Sequence, residues 1–176
     1  MILTGQHIRA EVEAGRITIE PFDAQCLNPN SYNYHLAPNI KIAPAGILEP
    51  SLEYRWPSIA IAPEGMLLEP GVLYLGHTAE IIGSRDYVTS LIGRSSVGRL
   101  GLFLQLSADL GHQGAVHSWT LELSAVQPLI VYAGMRIGQV SFWLPSGLRS
   151  LYSGVYGDHH LPMENRVVVH HPGEDG

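Results

Sequence analysis

Cysteine is almost absent from this sequence, since Cys26 is the only one among 176 residues. A single thiol excludes an internal disulfide and any zinc site built from paired cysteines. Long apolar runs are also missing, so neither a signal peptide nor a bilayer-spanning segment is recognisable. These absences predict a protein of the cytoplasm that does not enter a membrane.

Charge is also scarce, because charged residues make up 15% of the chain and the formal net charge is −6. Polymeric DNA or RNA demands a basic surface, so a nucleic-acid partner is disfavoured, whereas a few local arginines suffice for a single nucleotide. A hydrophobic fraction of 45% predicts one folded domain over residues 1–176. Its tail, residues 147–176, is rich in glycine, histidine and proline and is predicted to be irregular and flexible.

What the chain does contain is a series of short β-rich runs separated by prolines and glycines. A short helix is predicted first, beginning at Thr4 and ending at Gly15. Residues 118–125 then alternate cleanly, with Glu122 on the polar side of a strand. Residues 102–106 are too apolar to be expected in contact with water. Many short strands of this kind predict an all-β barrel or sandwich such as a jelly roll.

The most distinctive stretch is residues 93–101, Gly-Arg-Ser-Ser-Val-Gly-Arg-Leu-Gly. Arginine presents a planar fork of donors to phosphate oxygens, and serine adds a short donor beside it. Glycines let backbone amides approach an anion and form a nest of N–H groups. The stretch therefore indicates a polyphosphate site. The simpler alternative is a turn between two strands whose arginines are solvated.

Residues 93–102 resemble the GRSSLARLGL motif of the dCTP deaminases, which belong to the dUTPase superfamily. Residues 120–123 resemble that family's TLEL segment, at the family's spacing from the first motif. Residues 132–142 are similar to its YPGMKIGQLVF strand. The resemblance spans nearly the whole chain and implies a distorted, dUTPase-like jelly roll that assembles as a homotrimer, with active sites between subunits.

The resemblance also implies the roles of individual residues. Glu122 corresponds to the general acid and base, while Arg99 and Ser95 hold the attacking water or the developing charge. Substrate binding is implied for Arg94, Ser96, Ala108, His112, Gln139, Tyr152, Tyr156 and His159. The alternative for Glu122, judged without the resemblance, is an ordinary carboxylate on a solvated strand face.

The predicted chemistry does not use zinc. Zinc-dependent cytosine deaminases carry H-x-E and P-C-x-x-C motifs, and neither is present. Mg²⁺ is expected only in the company of the nucleotide phosphates, because this ion keeps its waters and needs few protein ligands. Pairs such as His112 with His117, or His159 with His160, offer a metal-site alternative, but their spacing matches no standard motif.

The sequence departs from the family pattern in two places, at His112 and in the tail. His112 stands where the family has an aspartate, which disfavours dUTPase activity, and Val155 and His159 replace a lysine and a glutamine in the tail. The leading hypothesis is deamination of a cytosine deoxynucleotide, most simply dCTP to dUTP and ammonia. The alternatives are a dUTPase-like or bifunctional deaminase and diphosphatase, and a trimeric nucleotide-binding module without catalysis.

Overall fold

The chain begins with a helix, as its sequence predicts. The structure, a computed structural model, describes residues 1–105, 108–154 and 161–165. Helix α1 (Gly5–Glu13) has Thr4 as its N-cap, whose hydroxyl accepts from the backbone of His7 at 3.4 Å. Gly15 has a φ of +72°, so the chain leaves the helix through a conformation that glycine adopts without steric cost.

Strands make up most of the remaining regular structure. A short helical turn, α2 (Ser95–Gly98), lies among them. The strands of the described residues are β1 (Ile17–Glu20), β2 (Tyr32–His35), β3 (Asn39–Ile42), β4 (Ser58–Ala60), β5 (Met66–Leu68), β6 (Leu73–His77), β7 (Ile81–Ser84), β8 (Val88–Gly93), β9 (Leu102–Leu104), β10 (Leu110–Gly111), β11 (Val116–His117), β12 (Thr120–Ala125), β13 (Leu129–Val131) and β14 (Arg136–Trp143).

Two antiparallel sheets carry the architecture. One has the strand order β4-β3-β6-β12-β9 and the other β10-β8-β14-β2, with smaller sheets β1-β7-β11 and β13-β5 beside them. Both large sheets send side chains into one hydrophobic core. The packing is close: a Cβ built on Gly138 would lie 2.1 Å from the ring of Tyr34, so only glycine fits there. The predicted all-β jelly roll with a short N-terminal helix is confirmed.

Strand β12 shows the alternation that its sequence predicts. Leu121 and Leu123 are fully buried, whereas Glu122 is half-buried on the opposite, outer face of the sheet. The same alternation corrects the expectation for residues 102–106. Leu102 and Leu104 are buried, but Phe103 between them is 40% exposed on the outer face, opposite Ser124.

A buried carboxylate fastens α1 to the strands. Glu11 is 4% exposed and accepts hydrogen bonds from Arg16 at 2.5 and 2.6 Å and from the Tyr87 hydroxyl at 2.9 Å. The hydrogen bond from Arg16 outweighs the opposing effect of burial and lowers the pKa of Glu11 from its ordinary 4.5 to about 2. The ionised carboxylate is thus the form that the fold stabilises.

Acid should remove this contribution to stability. Because the pKa of Glu11 is lower in the folded state, the stabilisation is fully present above about pH 4.5 and is lost as the pH falls towards about 2. We expect Glu11→Gln to unfold about 1–2 kcal/mol more easily at neutral pH, and to lose less stability than the parent in acid. Urea unfolding at both pH values measures this.

The matched control is Glu13→Gln. Glu13 lies on the same helix but is exposed, and it pairs with Arg9 at 2.9 Å. Exposed pairs of this kind contribute little, so this variant should follow the parent at every pH. An unchanged acid response in Glu11→Gln would contradict the assignment of the acid-sensitive stability to Glu11.

Candidate active site

A cavity of about 470 Å³ opens on the outer face of the five-stranded sheet. Glu122 lies in its wall together with Thr120 of the same strand and Leu75 of β6, which is the direct cross-strand partner of Glu122. The β12 alternation is what turns Glu122 outward, since its two neighbours along the strand point into the core. The volume lies in the range of sites for small organic ligands.

Flat rings form two other parts of the wall. His112 and Tyr152 stack with ring centroids 5.3 Å apart, and His117 packs against Trp119 at 4.2 Å. The Trp119 indole N–H donates to the carbonyl of Ile82 at 2.8 Å, which holds the ring in place. Flat apolar surfaces beside a carboxylate suit a planar heterocycle that carries polar groups on its edge.

Segments from the end of the chain cover the cavity, although they contain no helix or strand among the described residues. The backbone N–H of Met163 donates to the Thr120 hydroxyl at 3.0 Å, and Glu164 pairs with Lys41. Upstream, the N–H of Tyr152 donates to the carbonyl of Gln113 at 2.7 Å. Residues 161–165 therefore lie across the outer face of the sheet, close to Glu122.

Four of the predicted site residues meet in this cavity, namely Ala108, His112, Glu122 and Tyr152. Ala108 lies in the β9–β10 connection and His112 in the loop after β10. Glu122 lies on β12, and Tyr152 in the irregular C-terminal region. The fold alone brings these separate parts of the chain together. Their chemical roles stay predictions.

The arginine–serine turn lies elsewhere in the same chain. Arg94, Ser95, Ser96 and Arg99 are absent from the cavity wall. The turn after α2 is attached to the far end of β12. There the N–H of Val126 donates to the carbonyl of Gly101 at 2.9 Å, whereas Thr120, in the cavity wall, begins the strand. Within one chain, the two halves of the predicted site are therefore separate.

The predicted nest of backbone amides stays a prediction, and three amides of this stretch already have intrachain acceptors. The N–H groups of Val97 and Gly98 donate to the carbonyl of Arg94 at 3.2 and 2.9 Å, and that of Arg99 donates to Ser95 at 3.1 Å. Hydrogen bonds inside the turn thus occupy these donors. The side chains remain available instead, because Ser95, Ser96 and Arg99 are exposed and Arg94 is half-buried.

Gln139 does not line this cavity. Gln139 is on β14, where its side-chain carbonyl accepts from the Ser31 hydroxyl at 2.8 Å. Tyr156 and His159, like Val155 and His160, lie outside the described residues.

Sequence reasoning missed Gln105. This residue is 8% exposed, lines the cavity and has a φ of +49° in the left-handed region, which residues other than glycine rarely adopt. The available signal was a single amide within the otherwise apolar residues 102–106. An amide in such a run predicts a buried polar group that needs partners.

The described residues contain no group of three or more histidine, cysteine, aspartate or glutamate side chains arranged to hold a metal ion. His112 and His117 both line the cavity, but each ring packs against an aromatic neighbour. Within the same described ranges, no helix has the length and apolar character needed to cross a membrane.

Comparison with known proteins places these observations in a family context. Residues 2–144 match the family model described as dCTP deaminase-like. The chain is 42% identical to a dCTP deaminase of Rhodopirellula baltica, over 84% of this chain and 74% of that one. It is 42% identical to a "dCTP deaminase, dUMP-forming" of Clostridium beijerinckii, over 87% and 88% of the two chains. A Leptospira biflexa protein of the same description is 41% identical over 89% and 90%.

A solved structure is similar in fold. The 2'-deoxycytidine 5'-triphosphate deaminase from Agrobacterium tumefaciens superposes with a TM-score of 0.65 at 24% identity, over 82% of this chain. The match spans about half of that protein's length, 48%. The similarity supports the jelly-roll architecture derived from the strand order.

Proposed function

The chain belongs to the dCTP deaminase-like family, and on that premise we propose that it hydrolyses the 4-amino group of dCTP and releases ammonia. The observation that carries the proposal is the position of Glu122. Its carboxylate lies in the wall of a cavity that also has two ring-lined sides. A planar base bound there has its polar edge beside a group able to accept and donate protons.

The reaction requires one carboxylate and one water. As the water oxygen bonds to C4 of cytosine, Glu122 takes a proton from that water and passes it to N3, and the C4–N3 double bond becomes single. Glu122 then carries the second proton of the bound oxygen to the amino group. The C4–N bond breaks, ammonia leaves, and the oxygen remains as the carbonyl of uracil. A positioned acid and base of this kind accelerates a reaction about 10²- to 10⁴-fold.

We propose a homotrimer in which a neighbouring copy supplies the arginine–serine turn. In support, α2 lies away from the cavity of its own chain, and Ser95 and Arg99 are exposed. In the assembly, Ser95 and Arg99 would hold the attacking water, while Arg94 and Ser96 would bind phosphate. Symmetric oligomers commonly complete a site with residues from a second subunit.

The charges around the cavity support the same arrangement. The described part of its wall contains no arginine or lysine, and of its two glutamates Glu164 pairs with Lys41. A triphosphate therefore needs positive charge from outside this wall, which the arginines of a neighbour provide. We propose that Mg²⁺ arrives with the phosphates and is held by them and by water, since the described residues offer it no cage.

We propose that the product is dUTP. In support, His112 stands where the family pattern has an aspartate, and an imidazole ring stacked on Tyr152 does not supply a carboxylate to activate water for attack on phosphate. The names of the dUMP-forming relatives favour a second candidate, in which deamination and diphosphate release occur together.

Product analysis distinguishes these possibilities. We expect the protein to convert dCTP into equal amounts of ammonia and dUTP, without pyrophosphate, as measured by anion-exchange chromatography and an enzymatic ammonia assay. Accumulation of dUMP and pyrophosphate would instead identify the bifunctional reaction. Tight binding of dCTP without any product would identify a nucleotide-binding module.

A further inference from the structure

Gln105 is held in an unusual way beside the candidate catalytic carboxylate. It directly follows β9, is 8% exposed and has a left-handed φ of +49°. This conformation costs free energy in any residue with a Cβ, and such strain persists where the surrounding structure enforces it. Its backbone N–H donates to the carbonyl of Glu122 at 3.4 Å, so it is attached to the residue that carries the carboxylate.

The side-chain amide of Gln105 has only one possible orientation. Its Nε2 donates to the carbonyl of Ala108 at 3.3 Å and to that of Thr120 at 3.2 Å. Both neighbours are acceptors, so exchanging the nitrogen and oxygen of the amide would place three oxygens together. The amide oxygen, Oε1, is thereby directed elsewhere.

Oε1 of Gln105 is buried and has no hydrogen-bond partner among the described residues. A buried acceptor without a donor is costly, and Oε1 belongs to a residue that lines the cavity, so a donor of a bound ligand is a candidate partner for it. The only other buried side-chain atom without a partner in the described ranges is Nε2 of His77, which does not belong to the cavity wall. In the same wall, the Thr120 hydroxyl already accepts from the backbone N–H of Met163.

We propose that Oε1 of Gln105 accepts a hydrogen bond from the 4-amino group of the bound cytosine. This inference rests on the proposed function and names the group that reads the reacting edge of the base. Cytosine presents an N–H donor at this position, whereas uracil presents a carbonyl oxygen. Two acceptors facing each other repel, so Gln105 favours the substrate and disfavours the product after the amino group has left.

Binding measurements in an inactive background test this directly. Calorimetry on Glu122→Gln protein compares dCTP, dUTP and a dCTP analogue that carries hydrogen in place of the amino group. Gln105→Met, added to that background, keeps the chain length but removes Oε1. We expect it to weaken dCTP about five- to tenfold, to leave the analogue unchanged, and to leave dUTP unchanged or slightly tighter.

The matched control is Gln113→Met. Gln113 is 9% exposed and its Nε2 donates to the carbonyl of Asp86 at 3.1 Å, but it does not line this cavity. This variant should retain the preference for dCTP. The analogue also tests the idea without any change at Gln105, because protein with Gln105 intact should bind it about five- to tenfold more weakly than dCTP.

Several results would overturn the inference. They are an equal loss for dCTP and dUTP, an unchanged preference in Gln105→Met, or the same shift in Gln113→Met. In protein that keeps Glu122, a loss of kcat from Gln105→Met with unchanged nucleotide preference would assign Oε1 to the attacking water instead. Protein that binds neither nucleotide would remove the proposed function together with this inference, whereas ammonia release with an unaffected preference removes the inference alone.

Discussion

Replacing Glu122 with glutamine is expected to lower ammonia release from dCTP about 10³-fold, while dCTP binding stays within about threefold of the parent. Glutamine keeps the size and hydrogen-bonding oxygen of the side chain but takes no proton from water at neutral pH. Since Glu122 is half-buried on the outer face of β12, the change leaves the core intact. Steady-state ammonia assays and calorimetry measure the two quantities separately.

Glu164→Gln serves as the control for this prediction. Glu164 is the second glutamate of the described cavity wall, and it pairs with Lys41. Its replacement should change kcat less than about tenfold, because the proposed chemistry passes no proton through it. Comparable losses in both variants would mean that negative charge in the cavity, and not proton transfer by Glu122, accounts for the rate. Full turnover in Glu122→Gln would remove Glu122 from the mechanism.

Mixed oligomers should recover activity that neither parent variant possesses. Arg99→Ala and Glu122→Gln are each expected to lose about 10²-fold or more of the deaminase rate. If Arg99 of one copy serves the cavity of another, co-expressed and randomly mixed subunits form some sites with both residues intact. In the unselected mixture half of the cavities keep Glu122 and half of the neighbours keep Arg99, so about one quarter of the sites should be active; in purified trimers that contain both variants, about one third of the sites have both residues intact.

Differently tagged subunits and two affinity steps yield the mixed oligomers for this assay. The control mixes Arg99→Ala with Ser95→Ala. Both residues lie on the same turn, so every subunit lacks one of them and no oligomer contains a complete turn. The shared site would be contradicted if the mixture of Arg99→Ala and Glu122→Gln were no more active than each variant alone. Monomeric protein with full activity would contradict it as well.

Local patterns in the sequence predicted much of the fold. Alternation in residues 118–125 predicted which face of β12 bears Glu122, and the structure has the same faces. The helix from Thr4 to Gly15 followed from its cap and its stop. These features depend on near neighbours along the chain, which a single sequence displays. The error at Phe103 arose because an apolar run does not reveal that one side of its sheet remains partly open.

The candidate site could be predicted only in part. Family motifs pointed to Glu122, Ala108, His112 and Tyr152, which do meet in one cavity. They did not show that α2 lies apart from that cavity in the same chain. Whether two segments meet depends on strand order and register, which long-range contacts decide.

By itself the sequence determined the β-rich composition, the outward position of Glu122 and the chemistry available to its arginine–serine turn. Tertiary structure alone decided that α2 stands apart from the cavity and that Gln105, which lines this cavity, has a buried oxygen without a hydrogen-bond partner among the described residues. The physical reason is that whether a buried polar atom finds a hydrogen-bond partner depends on how distant parts of the chain fold together. Nε2 of Gln105 is satisfied by carbonyls from two other parts of the chain, and this leaves Oε1 without a donor.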